Sequence, residues 1–573
     1  MLAGLSQAQQ LPVTIERDVP AKMRDGVVLK ADIYRPKADG KYPVILQRSP
    51  YNKTATPVYQ PKFAMKAAAR GYVVIFQDCR GRFASAGEWN PFRHEAEDGY
   101  DSVEWAAQLP YSNGKVGMVG ASYVGATQLM AAVMQPPHLA GIFPMVMASN
   151  YYEGLIYQGG TLNLWLTETW TSGLALGDLL RYLLLKRDTM GWTRVLPLRD
   201  FPVLAVPGRE WVGSYFREWL AHPSYDDYWK QISIEDRHDK IQVPAFHFGA
   251  WYDIVLGGTL RNYLGIKAHG ATEAARRGQR LLIGPWPHGP WESKVGELDF
   301  GPQANFSDLG EDLVLRWYDH VLKGTDNGID KEKPVRLFVM GDNVWRDEDD
   351  WPLARAQETR YYFHSQGKAN SAGGNGSLTV NLPAAEPTDQ YVYDPANPVP
   401  TRGGPLCCEN AVPAGPWDQR PVEEREDVLV FTSPAFEKDY EVTGPVRVEL
   451  FASSSAVDTD FTAKLVDVWP NGYAQNLTEG ILRARFRNSL EKPELMRPGE
   501  IYKFNIDLWA TSNVFKAGHR LRVQVSSSNF PRFARNLNTG GDLASDARVV
   551  KATNTIYHDA QHPSAIVLPV VAR

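Results

Sequence analysis

The first 150 residues alternate short apolar runs with segments whose apolar residues recur at helical spacing. The runs are rich in β-branched residues and lack polar alternation, which is typical of strands buried on both faces of a parallel sheet. They cover residues 44–46, 72–76 and 115–119, and the helical segments cover residues 63–69, 98–109 and 126–134. Strands and helices in alternation predict a doubly wound α/β domain.

Two changes of pattern divide the rest of the chain. Residues 151–235 are rich in Leu and Trp with a mostly helical pattern, after which strand-like runs return at 244–249 and 280–284. From residue 428 onward, short β-branched runs separated by turn residues predict a β-sandwich or jelly roll. We therefore predict an α/β domain in two parts (11–149 and 241–350), a helical cap inserted between them (150–240) and a C-terminal jelly roll (351–573). Inserted caps commonly shape substrate pockets.

Charge and composition narrow the class of protein. The 573 residues include 61 Lys and Arg against 66 Asp and Glu, a formal charge of −5, so electrostatics give no reason to expect a nucleic-acid or anionic-membrane partner. No apolar run approaches the ~18 to 20 residues of a membrane span. With 43% hydrophobic residues and 17 Trp, the chain can bury a large core, which excludes a mainly disordered protein. A multidomain enzyme fits best; a homodimer or larger homo-oligomer stays open.

The cysteines are too few for a disulfide framework or a four-ligand zinc site. Cys79 follows a predicted strand and is expected to be packed in the core. Cys407 and Cys408 are adjacent, and because disulfides between neighbouring residues are uncommon we expect two free thiols. We predict no metal and no cofactor.

The first ten residues contain a fragment of a targeting pattern. Ser6-Gln7-Ala8 is a small-x-small sequence that signal peptidases accept, although the basic and long apolar regions of a signal peptide are missing. The pattern favours a periplasmic or secreted protein; a cytoplasmic one is the alternative.

The strongest local signal for chemistry is Gly120-Ala121-Ser122-Tyr123-Val124-Gly125. A strand leads into this segment and a helix follows it, as in a nucleophile elbow, where a serine occupies a tight turn. The turn would expose the Ser122 hydroxyl and direct the Tyr123 N–H at an oxyanion. The alternative is a simple turn before a core helix.

A serine nucleophile needs a base, and the base needs an orienting acid. Asp253 follows the strand-like run at 245–252, and His288 follows the one at 280–284. With Ser122, they occur after strand ends in the order Ser, Asp, His, as in α/β hydrolases. Their alternative roles are a helix cap and a loop histidine. His247 lies within a strand and His320 within a helix, so we expect structural roles for both.

Several motifs together resemble one family, the X-Pro dipeptidyl-peptidase-like serine hydrolases that include bacterial cocaine esterase. The motifs are the Ser122 segment, Trp251-Tyr252-Asp253, Gly284-Pro285-Trp286-Pro287-His288, Ser49-Pro50-Tyr51, residues 77–88 and residues 97–101. The resemblance covers essentially the whole chain. It implies an α/β-hydrolase domain, a helical cap and a jelly roll. It also implies that the Tyr51 phenol is the second oxyanion donor, beside the Tyr123 N–H.

The resemblance also bears on the acyl group. Relatives that cleave α-amino acid esters bind the substrate ammonium with carboxylates two and three positions after the catalytic Asp, where this chain has Val255 and Leu256. An ammonium buried there would lack a counter-ion, which is costly. A cap carboxylate (Glu153, Glu168 or Asp178) is the alternative partner. We therefore predict a neutral, apolar acyl group, either aromatic or alkyl, with a pocket formed by Trp165, Trp170, Trp251, Ile254, Val255 and Leu256.

The predicted reaction is hydrolysis of a carboxylic ester through an acyl-enzyme. The alternatives are cleavage of an amide by an acylase or X-Pro dipeptidyl-peptidase, hydrolysis of α-amino acid esters, and acyl transfer to an amine. A different class of function, an inactive hydrolase scaffold whose jelly roll binds carbohydrate, is disfavoured because Ser122, Asp253, His288 and Tyr51 are all present.

Overall fold

The computed structural model describes residues 11–54, 61–175, 188–205, 213–306 and 309–573. Three sequence features lie outside these ranges: Ser6–Ala8, the cap residue Asp178 and part of the Leu-rich cap segment. In the described part of the chain, no helix is long and apolar enough to cross a membrane. The same ranges contain no cluster of three or more His, Cys, Asp or Glu side chains that could hold a metal ion.

The described residues of the first part of the α/β domain form six strands and three helices. The strands are β1 (Val13–Lys22), β2 (Val28–Pro36), β3 (Tyr42–Ser49), β4 (Val73–Asp78), β5 (Ser112–Ala121) and β6 (Leu139–Met145). The helices are Pro61–Ala69, Glu95–Ala107 and Tyr123–Ala132. Every residue of β4 and of the helix Tyr123–Ala132 is buried, including the polar Gln77, Asp78, Thr127 and Gln128. Burial on all sides explains why the rest of both elements is mostly apolar.

The cap begins with a small hairpin, β7 (Tyr157–Gln158) and β8 (Thr161–Leu162). Its described helices are Leu164–Ala175, Thr189–Trp192, Ser214–Ala221 and Asp227–Lys230. Short 3-10 helices occupy Leu198–Asp200, Pro202–Ala205 and Glu235–Lys240. Aromatic rings form much of the cap interior; Trp170, for example, stacks on Trp219 with ring centroids 6.0 Å apart.

The second part of the α/β domain completes the sheet. Its strands are β9 (Ala245–Tyr252), β10 (Gln279–Pro287), the small pair β11 (Lys294–Val295) and β12 (Leu298–Asp299), β13 (Val335–Val339) and β14 (Val344–Glu348). Its helices are Leu256–His269, Glu273–Arg277 and Leu309–Val321, with 3-10 turns at Pro302–Ala304 and Ile329–Lys331.

The large sheet has the order β1-β2-β4-β3-β5-β6-β9-β10-β13-β14. Strands β3 to β6, β9, β10 and β13 pair in parallel, while the outer pairs β1–β2, β2–β4 and β13–β14 are antiparallel. The carboxyl ends of the parallel strands therefore meet at one edge, where ligand sites of such sheets form. This confirms the predicted α/β core.

The C-terminal domain is built on strands, as predicted. The strands are β15 (Gln357–His364), β16 (Ser377–Thr379), β17 (Asp389–Tyr393), β18 (Leu429–Thr432), β19 (Tyr440–Ser454), β20 (Asp460–Val468), β21 (Ala474–Arg483), β22 (Tyr502–Phe515), β23 (Arg520–Ser526), β24 (Ala552–Tyr557) and β25 (Ala565–Val571). All belong to one hydrogen-bonded sheet. A helix at Arg420–Glu423 and a 3-10 turn at Ala484–Phe486 interrupt them. Contacts such as the Tyr252 hydroxyl bond to the Asn476 carbonyl (2.9 Å) join this domain to the α/β core.

Candidate active site

Ser122 occupies a sharp turn between β5 and the helix Tyr123–Ala132. Its φ of 58° and ψ of −128° are rarely adopted by non-glycine residues. Hydrogen bonds hold the turn: the Ser122 N–H donates to the Met145 carbonyl (2.9 Å), and the Ser122 carbonyl accepts from Gly125 (2.7 Å). Gly120 has φ +146°, and a Cβ there would lie 2.2 Å from a methyl carbon of Val124. The turn therefore has the form of a nucleophile elbow.

Asp253 and His288 come together because β9 and β10 are adjacent parallel strands. The Oδ1 atom of Asp253 lies 2.7 Å from Nδ1 of His288, and the Val255 N–H donates to the same oxygen at 3.3 Å. Asp253 is fully buried, whereas the His288 side chain is 15% exposed and borders the same cavity as Ser122. A carboxylate held in this way orients an imidazole and stabilises its protonated form.

The other two histidines considered above do not border this cavity. His247 is buried and bonds to the Gln279 amide oxygen at 2.8 Å, and burial lowers its pKa to about 4. The ring of His320 lies 3.4 Å from the Thr325 carbonyl in an exposed position.

Tyr51 follows β3 and brings its phenol to the cavity beside Ser122. Burial raises its pKa to about 12, so it is a neutral donor near pH 7. The indole N–H of Trp170 donates to the phenol oxygen at 3.1 Å. Because indole only donates, this bond occupies a phenol lone pair and leaves the phenol proton available for another acceptor.

A buried polar network holds Tyr123. Its hydroxyl donates to Glu95 (2.9 Å) and accepts from the Phe92 N–H (2.9 Å). Glu95 in turn pairs with the fully buried Arg48 (2.9 Å). Burial, with Glu95, raises the pKa of the Tyr123 phenol well above its usual value, so it stays protonated. The main-chain N–H of Tyr123 is at the first position of its helix, where no intrahelical acceptor exists.

The described residues around Ser122 enclose a cavity with two chambers that share part of their wall. The larger one has a volume of about 670 Å³ and includes His288 and Trp291 in its wall. The smaller one, here called the acyl recess, has a volume of about 40 Å³. Tyr51, Ser122, Trp170, Cys407 and Cys408 border both chambers. The remaining residues of the acyl recess are Phe92, Tyr123, Val146, Met147, Leu155, Ile156, Leu166, Thr167, Trp219, Ile254 and Val255.

Three of the six predicted pocket residues border the acyl recess: Trp170, Ile254 and Val255. The other three do not, so their prediction is corrected. Trp165 is fully buried and packs against Leu406 and Val412. The Trp251 indole donates to the Phe338 carbonyl at 2.7 Å and is buried against Trp351. Leu256 begins a helix and is completely buried in the core of the α/β domain.

The prediction of two free thiols at Cys407 and Cys408 is wrong. The two side chains are joined by a disulfide. Cys79 is a buried free cysteine, as predicted. The sequence does not reveal the loop that carries both cysteines, which main-chain hydrogen bonds between Gly404 and Gly415 close.

Two of the cap carboxylates considered as ammonium partners do not border the acyl recess. Glu153 accepts a bond from the Gly159 N–H (3.0 Å), and burial raises its pKa to about 7. Glu168 is 2% exposed, and burial raises its pKa to about 8. Asp178 lies outside the described residues. The described residues that border the recess include no charged side chain.

Replacing Glu168 with Gln is expected to change how stability depends on pH. The unfolded carboxyl loses its proton near its usual pKa of 4.5, whereas the folded one holds it to about pH 8. Wild-type stability should therefore fall, relative to Glu168→Gln, as pH rises from about 5 to 8, and the difference should level off above that. Urea unfolding of both proteins at several pH values between about 5 and 8 measures the difference in their free energies of unfolding. Glu292→Gln, at an exposed position, is the control; a Glu168→Gln difference independent of pH would contradict the prediction.

Sequence reasoning missed several residues that shape the site. Glu95 and Arg48 lie beneath Tyr123, and Met147, Leu155 and Trp219 border the recess. The apolar residues around Met147, Leu155 and Trp219 indicated burial alone, and nothing near Arg48 or Glu95 indicated a contact with Tyr123.

Comparison with known proteins places the chain in a family. Residues 25–290 match the X-Pro dipeptidyl-peptidase (S15 family) domain, and residues 327–567 match the X-Pro dipeptidyl-peptidase C-terminal non-catalytic domain. The chain is 38% identical to cocaine esterase from Rhodococcus sp. (strain MB1 Bresler), over 98% of this chain and 99% of that protein.

Two solved structures are similar to this protein over its full length. An aminopeptidase from a marine sediment archaeon of the Thaumarchaeota superposes with a TM-score of 0.84 at 26% identity, and an α-amino acid ester hydrolase with a TM-score of 0.83 at 25% identity. Each alignment covers 100% of this chain and 98% of the other. The chain therefore belongs to the family of cocaine esterase and the X-Pro dipeptidyl-peptidase-like serine hydrolases, and it is a hydrolase.

Proposed function

We propose that this hydrolase is an esterase that transfers a neutral, apolar acyl group to water through Ser122, His288 and Asp253. One observation carries the proposal: Ser122 on its nucleophile elbow and His288, whose Nδ1 lies 2.7 Å from the buried Asp253 carboxylate, border one cavity. Acyl transfer through a serine needs a nucleophile, a base and an acid that orients the base, and these three residues can supply those roles.

In the proposed reaction, His288 accepts the Ser122 proton as the hydroxyl oxygen attacks the ester carbonyl. Asp253 holds the imidazole with Nδ1–H toward the carboxylate and stabilises the imidazolium. The Tyr51 phenol and the Tyr123 N–H donate to the oxyanion. His288 then gives its proton to the leaving alcohol, and a water activated by the same imidazole releases the acid.

The two chambers suggest where each half of the ester binds. His288 must reach the leaving group to protonate it, and His288 borders the large chamber and not the acyl recess. The alcohol part of the ester therefore belongs in the chamber of about 670 Å³, and the acyl part in the recess of about 40 Å³.

The wall of the recess supports a neutral acyl group. An ammonium there would be surrounded by apolar groups such as Met147, Ile254 and Val255, without a counter-ion. Leaving a charge buried and unpaired is costly. The similarity to an aminopeptidase and an α-amino acid ester hydrolase makes aminoacyl substrates the second candidate. The described carboxylates that border the cavity, Glu311 and Glu409, line the large chamber and not the acyl recess, where an aminoacyl group would bind.

Isosteric ester pairs test the proposal. Propionyl and glycyl p-nitrophenyl esters differ by CH₃ against NH₃⁺, as do isobutyryl and alanyl esters. We expect kcat/KM to favour the neutral member of each pair by at least about 100-fold, because the ammonium would be desolvated without a partner. Measurements at a pH that keeps the amine protonated, with Ser122→Ala as the background control, give the ratio.

A preference for the aminoacyl ester of each pair would contradict the proposal that the enzyme takes a neutral acyl group. Faster cleavage of alanyl than isobutyryl esters, or turnover of X-Pro amides alone, would show that a carboxylate of the protein binds the substrate ammonium.

A further inference from the structure

The Cys407–Cys408 disulfide occupies an unusual place in the molecule. It comes from a loop of the C-terminal domain, yet it borders both chambers of the cavity that the α/β domain and the cap form around Ser122. Among the described residues, Tyr51, Ser122 and Trp170 are the others that share that position, and these three include the proposed nucleophile and an oxyanion donor. A group at this boundary lies next to the scissile bond of any ester bound across the two chambers.

The loop that carries the disulfide is fixed at its base. Gly404 and Gly415 exchange a pair of main-chain hydrogen bonds of 2.7 and 2.9 Å, which close residues 404–415 into a loop. Within it, Leu406 and Val412 pack against the buried Trp165 of the cap. Both arms of the loop are therefore anchored, and the disulfide lies between the two anchors.

A disulfide between adjacent residues presents a compact, apolar surface. Sulfur is polarizable and makes favourable contacts with aromatic and aliphatic groups. The bond also removes the rotational freedom of two side chains. Reduction would return that freedom and replace one fixed surface with two independent thiols, each a weak donor.

We propose that the Cys407–Cys408 disulfide is a specificity-determining wall of the acyl recess, and that its reduction by a dithiol widens the range of acyl groups accepted. This rests on the proposed function. A thiolate of the dithiol attacks one cysteine sulfur and forms a mixed disulfide; its second thiol then closes a cyclic disulfide and leaves Cys407 and Cys408 as thiols. Cys408 is exposed, so a small dithiol can reach the bond.

The expected change is in selectivity. The recess holds about 40 Å³ with the disulfide in its wall, which favours short acyl groups. A difference of one methylene group in an apolar pocket changes kcat/KM by about 10-fold or more. We therefore expect reduction to raise the benzoyl-to-acetyl ratio of kcat/KM, measured on p-nitrophenyl esters, by about 10-fold.

The test uses three preparations of the full chain: untreated enzyme, enzyme reduced with dithiothreitol, and Cys407→Ser/Cys408→Ser. Iodoacetamide labelling without denaturant should find no reactive pair before reduction and two alkylated residues, Cys407 and Cys408, after it. The double-serine variant should show the benzoyl-to-acetyl ratio of the reduced enzyme and should not respond to dithiothreitol. That last comparison separates the disulfide from other effects of the reductant, Cys79 included.

Three results would overturn the inference. They are alkylation of both cysteines before reduction, an unchanged acyl profile after complete reduction, and an equal response to dithiothreitol in the double-serine variant. If no ester is turned over by any preparation, the proposed function fails; if all are turned over with one redox-independent profile, only the role of the disulfide fails.

Discussion

Replacing Ser122 with alanine is expected to lower kcat for a neutral p-nitrophenyl ester by about 10⁴- to 10⁶-fold. The variant keeps the cavity and the His288–Asp253 pair but has no oxygen to form the acyl-enzyme. His288→Ala should lose a similar amount, and the double variant little more, since the two groups act as one unit. Steady-state kinetics on the same ester measure all three.

Ser149→Ala is the matched control. Ser149 also faces a histidine, with its hydroxyl 3.3 Å from Nε2 of His238, but the pair is buried away from the cavity. This variant is expected to retain kcat within about threefold. Comparable kcat for Ser122→Ala and Ser149→Ala would contradict the proposed nucleophile.

Replacing Tyr51 with phenylalanine is expected to lower kcat by about 10²- to 10³-fold with a small change in KM. The substitution keeps the ring and removes the phenol proton that would bind the oxyanion. The phenol is protonated near pH 7, because burial raises its pKa to about 12, and the Trp170 indole holds its oxygen in place. Pre-steady-state measurement of the acylation rate gives the effect directly.

The matched control for Tyr51→Phe is Tyr252→Phe. That substitution also removes a buried hydroxyl, one bonded to the Asn476 carbonyl at the boundary with the C-terminal domain. It should lower the free energy of unfolding by about 1 to 2 kcal/mol and leave the acylation rate nearly unchanged. A Tyr51→Phe variant that loses only stability would contradict an oxyanion role for Tyr51.

The positions brought together at the sheet edge could be predicted from the sequence because they follow a topological rule. Ser122 follows β5, and Asp253 and His288 follow β9 and β10. Since the carboxyl ends of parallel strands meet at one edge, residues after those ends converge even when they are far apart in sequence. Local strand patterns were therefore enough to place them.

The walls of the cavity could not be predicted in the same way. The disulfide reaches Ser122 from another domain, through a loop whose sequence carries no periodic pattern. Trp165 and Trp170 belong to one helix, yet only Trp170 borders the cavity. Trp251 precedes Asp253 by two residues but is directed at the Phe338 carbonyl. Which face of an element a ring occupies depends on neighbours that the sequence does not identify.

The most direct test of the proposed nucleophile is the mass of the enzyme after reaction with a fluorophosphonate. We expect one adduct per chain, located by peptide mapping on Ser122, with ester turnover falling in proportion to labelling. Pretreatment with a slowly released neutral ester should protect against labelling. Full turnover by an enzyme labelled completely at Ser122, or a single inactivating adduct on another residue, would contradict the proposed nucleophile.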